Sequence, residues 1–168
     1  MNRFWRSVSL ISILILCGCS AKKSDVVPVK PTDIISEAEA ESALGGVDLN
    51  LEFDAVVDLN NNTYKATYLP DPIGSIDPVI VKVIYPSEEL SEGDVKGLYN
   101  EAYASRMNKR KIEGIGESAY VAFPSINIFD RGHFITITAG SGDTQKQLDL
   151  LLSLGKTAIT NLDKYLSE

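Results

Sequence analysis

Val47-Asp-Leu-Asn-Leu-Glu-Phe-Asp-Ala-Val-Val-Asp-Leu59 alternates with almost no break: every odd position is apolar, and every even position except Val56 is Asp, Glu or Asn. A period of two sends successive side chains to opposite faces, so the stretch predicts a strand with one buried and one wet face. Asn60, Asn61 and Asn62 follow with turn chemistry, and Tyr64, Ala66 and Tyr68 then alternate along a second strand, which makes a hairpin. Pro70, Pro72, Gly74 and Pro78 break residues 69–78 into an exposed loop. The near-continuous apolar run VIVKVIY at 79–85 predicts a strand in the middle of the sheet.

Upstream of the hairpin, Ser36 and Glu39 form a capping box that opens a short helix over residues 37–44, with Gly45 placed to end it. Downstream, Ser91-Glu92-Gly93-Asp94 opens a second helix whose Val95, Leu98, Tyr99, Ala102 and Met107 share a face, running to Lys109-Arg110-Lys111. Cations there would complement the negative end of its dipole. Residues 119–123, 126–129 and 134–139 predict three more strands, the last two joined by Asp130-Arg131-Gly132-His133.

A final helix over 144–166 carries Leu148, Leu151, Leu152, Gly155, Ala158, Ile159 and Leu162 at helical spacing, with Gly155 on the buried stripe, where a missing side chain permits close approach. The order α-β-β-β-α-β-β-β-α predicts an α+β fold. A mainly antiparallel sheet of five or six strands has one face packed by helices, in a two- or three-layer sandwich.

A length of 168 residues suits a single domain, and 44% apolar with 23% charged residues is ordinary for a folded one. The net charge of −7 removes the basic footprint expected of a nucleic-acid partner. Residues 1–18 have a different character. Arg3 and Arg6 precede the apolar run 8–16, too short for a membrane span of about 20 residues and of the length a secretory leader uses.

The leader ends in Leu16-Cys17-Gly18-Cys19, which resembles the lipobox of bacterial lipoproteins: Leu at −3, a small residue at −1 and Cys at +1. That resemblance implies a diacylglyceryl group on the Cys19 sulfur, cleavage before it, and export to the outer face of the cell membrane, or to the outer membrane in a diderm cell. A plain secretory leader cleaved without lipidation is the alternative. Loss of residues 1–18 would remove Arg3, Arg6 and Cys17, taking the charge from −7 to −9 and leaving Cys19 as the last cysteine. No disulfide would then staple the domain, and its core must hold it alone. The expected organisation is a leader at 1–18, a lipidated Cys19 with a Pro- and Lys-containing tether to residue 32, and one domain over 33–168.

Gly114-Ile115-Gly116-Glu117-Ser118-Ala119-Tyr120, set between the central helix and a hairpin, is similar to the Gly-Leu-Gly-Asp-Glu-Ala-Tyr pattern of a group of exported bacterial lipoprotein domains. The group is best known among actinobacterial surface lipoproteins and is related to kinase sensor domains. The order of elements agrees over residues 32–166. The resemblance implies an extracytoplasmic binding or sensing role and supplies no catalytic residues.

Chemistry is sparse in the chain. His133 is its one histidine, too few for a zinc enzyme with three protein ligands, and its place beside Asp130 and Arg131 predicts a solvent-facing turn residue, with a base or pH sensor as the other reading. Asp58-x-Asn60-x-Asn62 imitates the start of a calcium loop but has Thr63 where Gly is needed and Leu69 where Glu is needed, so a hairpin turn is preferred. Gly114-Ile115-Gly116 lacks the third Gly, the Lys and the following helix of a phosphate cradle.

Tyr64 and Tyr68, on one side of a strand beside the Pro-rich loop, are either a stacking platform for a ligand or half-buried core. The residues singled out for ligand contact are Tyr64, Tyr68, Asp71, Tyr120 and His133, with Cys19 for lipidation and no cofactor or metal. Two functions from different classes follow. One is a membrane-anchored, non-catalytic domain that binds a protein, glycan or small molecule. The other is an envelope hydrolase working through two acids among Asp71, Asp77 and Glu117, which would need carboxyl groups about 5–10 Å apart across a cleft. A purely structural surface protein is a third reading.

Overall fold

A computed structural model of the chain describes residues 28–74 and 76–168; the leader, Cys19 and most of the tether lie outside them. The elements in order are α1 (Pro31–Ile34), α2 (Glu37–Ala43), β1 (Leu49–Asp58), β2 (Thr63–Pro70), β3 (Val79–Ile84), α3 (Glu92–Ser105), β4 (Arg110–Ile112), β5 (Ser118–Ala122), β6 (Ser125–Asp130), β7 (His133–Thr138) and α4 (Gln145–Ser167). The protein is α+β, with seven strands in the order β1-β2-β3-β7-β6-β5-β4, every neighbouring pair antiparallel.

Both helix starts with a capping box form as their residues dictate. Ser36 Oγ accepts from the Glu39 amide while Glu39 Oε2 accepts from the Ser36 amide at 2.8 Å; Ser91 and Asp94 repeat the arrangement at the head of α3. The strongly periodic α4 begins at Thr144, whose hydroxyl accepts from the Gln147 amide. Its apolar stripe, with α1 and α2, covers one face of the sheet in a core that includes Val81, Ile128, Ile137, Leu151, Leu154 and Leu162. Gly155 sits where a Cβ would lie 2.8 Å from Ile126 Cδ1, so the close approach expected of it is present.

Several expectations are corrected. Helices pack on both faces: α3 lies against the second one, over an aromatic core of Tyr99, Tyr120, Phe129 and Phe134. The α3 helix stops at Ser105, with Arg106 as cap, because Arg110–Ile112 leaves it to pair with β5 as a seventh, edge strand. Met107, expected on the helix's buried face, is 87% exposed beyond its end. Packing also begins ahead of residue 33, since Val29 and Pro31 are already buried and Pro31 opens the short α1.

The quoted alternation in β1 does make a strand, but its apolar side chains do not share a face. Register shifts between Leu51 and Phe53 and between Val56 and Asp58 are bulges. The first moves Phe53 and Ala55, opposite Thr67 and Lys65, to the face away from α4. Leu51, Phe53 and Val57 are therefore 39–47% exposed on an edge strand. The α2 helix shields the start of that edge: the Leu49 and Leu51 amides donate to the carboxylates of Glu41 and Glu37, at 2.9 and 2.8 Å.

Candidate functional site

A cavity of about 980 Å³ lies at one end of the sheet, where four separated segments meet. Ile73, Gly74, Ile76, Asp77 and Pro78 form one wall, the end of α2 another, the Gly140-Ser141 turn a third and the first turns of α4 the fourth. Leu44, Leu69, Ile73, Ile76, Pro78 and Leu150 give it an apolar lining. Asp77, Ser141, Thr144, Lys146, Asp149 and Ser153 supply its polar groups. Gln147 also lines it: its side-chain amide donates to the Ala139 carbonyl, and Gly140 passes beside that side chain at φ +64, a left-handed conformation that favours glycine. A cavity of this size, lined by apolar and polar side chains together, is large enough for a small molecule.

The residues singled out from the sequence are dispersed. Tyr68 is fully buried on the α4 side, and its hydroxyl donates to the Ile35 carbonyl; burial, helped by nearby Asp54, holds that phenol far above its ordinary pKa. It is core, not platform. Tyr64 is half-buried and packs against Tyr85 with the rings tilted at 49° and centroids 5.8 Å apart. Tyr120 lies on the opposite face, fully buried under Tyr99 and Tyr103. Asp71 is exposed in the Pro-rich loop, where its amide donates to the Asp48 carbonyl, and it does not line the cavity. Cys19 lies outside the described residues.

His133 is the clearest correction. It is 3% exposed, because the two-residue turn is Arg131-Gly132, both at positive φ, and His133 already pairs with Asp130 in the β6–β7 ladder. Its Nδ1–H donates to the Arg131 carbonyl at 2.8 Å, and Nε2 has no partner among the described residues. Burial, with a smaller push from Arg131, sets its pKa below the ordinary 6.5, against opposing pulls from the Arg131 carbonyl and Asp130. The unfolded chain therefore takes up this proton at a higher pH than the folded one. Stability is expected to be full above about pH 6.5 and to fall as pH drops below it. His133→Gln, followed by urea unfolding between pH 7.5 and 4.5, should show a flatter loss over that window than the parent protein; equal slopes would contradict the assignment.

The Gly114–Tyr120 stretch, too, is accounted for by packing. Gly116 turns at φ +58 against β6, the Glu117 amide donates to Asp130 Oδ1 at 3.1 Å, and Glu117 Oε1 accepts from the Arg131 amide at 3.0 Å. Arg131 completes the network with Asp130 and Asp163. Glu117 is thus committed to the β6–β7 turn, and of the three acids considered for a hydrolase only Asp77 lines the cavity, as Asp149 also does. Asp58 is taken up by its turn, accepting from the Asn60 amide at 3.0 Å and from Asn61 Nδ2 at 2.8 Å.

Only the Pro-rich stretch 69–78 of this cavity stands out in the sequence, and its first two residues, Leu69 and the buried Pro70, belong to β2 and not to an exposed loop. Leu150 offered a signal: it is an apolar residue that falls off the Leu148–Leu151–Leu154 stripe, in the turns of α4 that wall the cavity. Comparison with known proteins found no matching family model, no similar curated protein and no similar solved structure.

Proposed function

We propose that the chain is an exported, lipid-anchored binding domain whose cavity takes a small amphipathic ligand without chemical change. The observation that carries the binding reading is the cavity itself: about 980 Å³, lined by apolar side chains together with Lys146, Asp77, Asp149 and other polar groups. The anchor is supported by the Leu16-Cys17-Gly18-Cys19 pattern, and an extracytoplasmic role by the likeness at Gly114–Tyr120. An apolar body would sit against Leu44, Ile76 and Leu150, and a polar head would stay at the polar side chains. The hydrolase reading keeps one supporting observation, the presence of Asp77 and Asp149 in the same cavity.

The mature protein is expected to bind N-phenyl-1-naphthylamine one to one, with the rise in emission that this probe shows in apolar surroundings. Leu150→Arg places a charge in the lining and should weaken binding about tenfold or more, equivalent to about 1.4 kcal/mol. Equal affinity in the two proteins would contradict the proposed site.

A further inference from the structure

We infer that the two outer edges of the sheet bind each other between copies of this chain, β1 of one copy adding to β4 of the next, so that the protein associates head to tail. The strand order leaves β1 and β4 as the outer strands. An outer strand presents backbone N–H and C=O groups that another strand can pair with. On β1 the carboxylates of α2 take up the Leu49 and Leu51 amides, and the strand runs on past them to Asp58.

Charge selects the pairing. Residues 31–64, which include α1, α2 and β1, contain eight acids and no Lys or Arg. Glu52 and Asp54 of β1 are exposed. Lys65 of β2 reaches over the Phe53 ring, 5.5 Å from its centroid, but the charges of the edge strand itself are all acidic. Residues 102–112, the end of α3 and β4, contain Arg106, Lys109, Arg110 and Lys111 and no acid. Lys109 donates to the Tyr103 carbonyl at 2.6 Å. Arg106, Arg110 and Lys111 are exposed and join no ion pair among the described residues, in a chain with 23 acids.

Like charges on facing strands repel, and charged edges keep sheet proteins from pairing with themselves. That protection acts here against β1 with β1 and against β4 with β4, and it reverses for β1 with β4. A two-fold dimer is thereby disfavoured. The contact left is heterologous, with one acidic and one basic edge unused at the ends of each assembly, so it can add further copies. Apolar side chains stand exposed at both surfaces, Leu51, Phe53, Val57 and Leu59 at the acidic one and Met107 at the basic one.

Residues 19–168 with Cys19→Ser retain every described residue and can be neither lipidated nor disulfide-linked. In sedimentation velocity at about 20 mM salt their mean mass should rise steadily with protein concentration, and at about 300 mM, where charges are screened within several ångströms, association should weaken at least tenfold. Arg110→Glu with Lys111→Glu makes both edges acidic, and Glu52→Lys with Asp54→Lys makes both basic. Each double variant should stay monomeric alone, and an equimolar mixture of the two should associate again. The response of the parent protein to salt tests the inference without any variant. A parent protein that is monomeric at both salt concentrations, one that stops at a dimer, or association indifferent to salt would overturn it. If the monomeric parent instead binds a poly-glutamate peptide that Arg110→Glu with Lys111→Glu does not, the basic edge serves an acidic partner and not a second copy.

Discussion

Gly116→Ala is expected to destabilise the protein by about 3 kcal/mol and to lower its thermal midpoint by roughly 10 °C. Two effects add. The residue turns at φ +58, a left-handed conformation that costs a residue with a Cβ about 1–2 kcal/mol. The new methyl would also lie 2.8 Å from Ile128 Cγ2 and 3.0 Å from the Phe129 carbonyl oxygen, and the second of these is backbone locked in the β6 ladder. Overpacking of that kind adds about 1–3 kcal/mol. Gly114→Ala separates the two effects, since Gly114 turns at φ +76 with nothing within 4 Å of its virtual Cβ. It should lose only the conformational part, about 1 kcal/mol. Thermal unfolding of both variants checks the difference, and equal losses would show that the contact with β6 is not as close as described.

Tyr99→Ala is expected to lose about 4 kcal/mol and to loosen α3 selectively. The Tyr99 ring is 4% exposed and stands 5.5 Å from Tyr120, 5.9 Å from Phe129 and 5.5 Å edge-on from Phe134. These rings are the larger part of the core beneath α3, whose other buried members are Val95 and Leu90. The helix is weakly amphipathic and contains Gly93 and Gly97, so little besides this anchor holds it to the sheet. Amide exchange should therefore rise across residues 92–105 of the variant while α4 stays protected; a uniform rise along the chain would contradict a separate aromatic layer. Tyr99→Phe keeps the ring and loses only the 2.9 Å hydrogen bond with Ser118, for about 1 kcal/mol.

These two residues also show how far the sequence could be followed. Local signals carried through: the capping box at Ser36, the helix start at Ser91, the long stripe of α4, the hairpins and the α+β class all follow from short-range spacing. Long-range partners carried less. The alternation in β1 continues past its bulges, and only the register against β2 reveals that Phe53 has changed face. Arg110–Ile112 resembles a basic helix end because a short edge strand also favours cations and has no buried face to impose a period.

Polar neighbours placed His133 in solvent, whereas the turn takes only Arg131 and Gly132. For Tyr68 the strand period was informative about direction but not about use, since the same side of β2 is roofed by α1 and the Ile35 carbonyl. The cavity escaped almost entirely. Its walls come from residues 43–44, 69–70, 73–74, 76–78, 140–141, 144, 146–147, 149–150 and 153, brought together by the sheet and invisible to any local pattern.

Occupancy of that cavity in its own environment is the most direct measurement. The mature protein would be released from its native membrane in a detergent-free polymer and examined by native mass spectrometry beside Leu150→Arg. The account predicts one non-covalent small-molecule adduct on the parent protein and its loss from the variant. A bare parent protein, or an adduct retained equally by both, would contradict it.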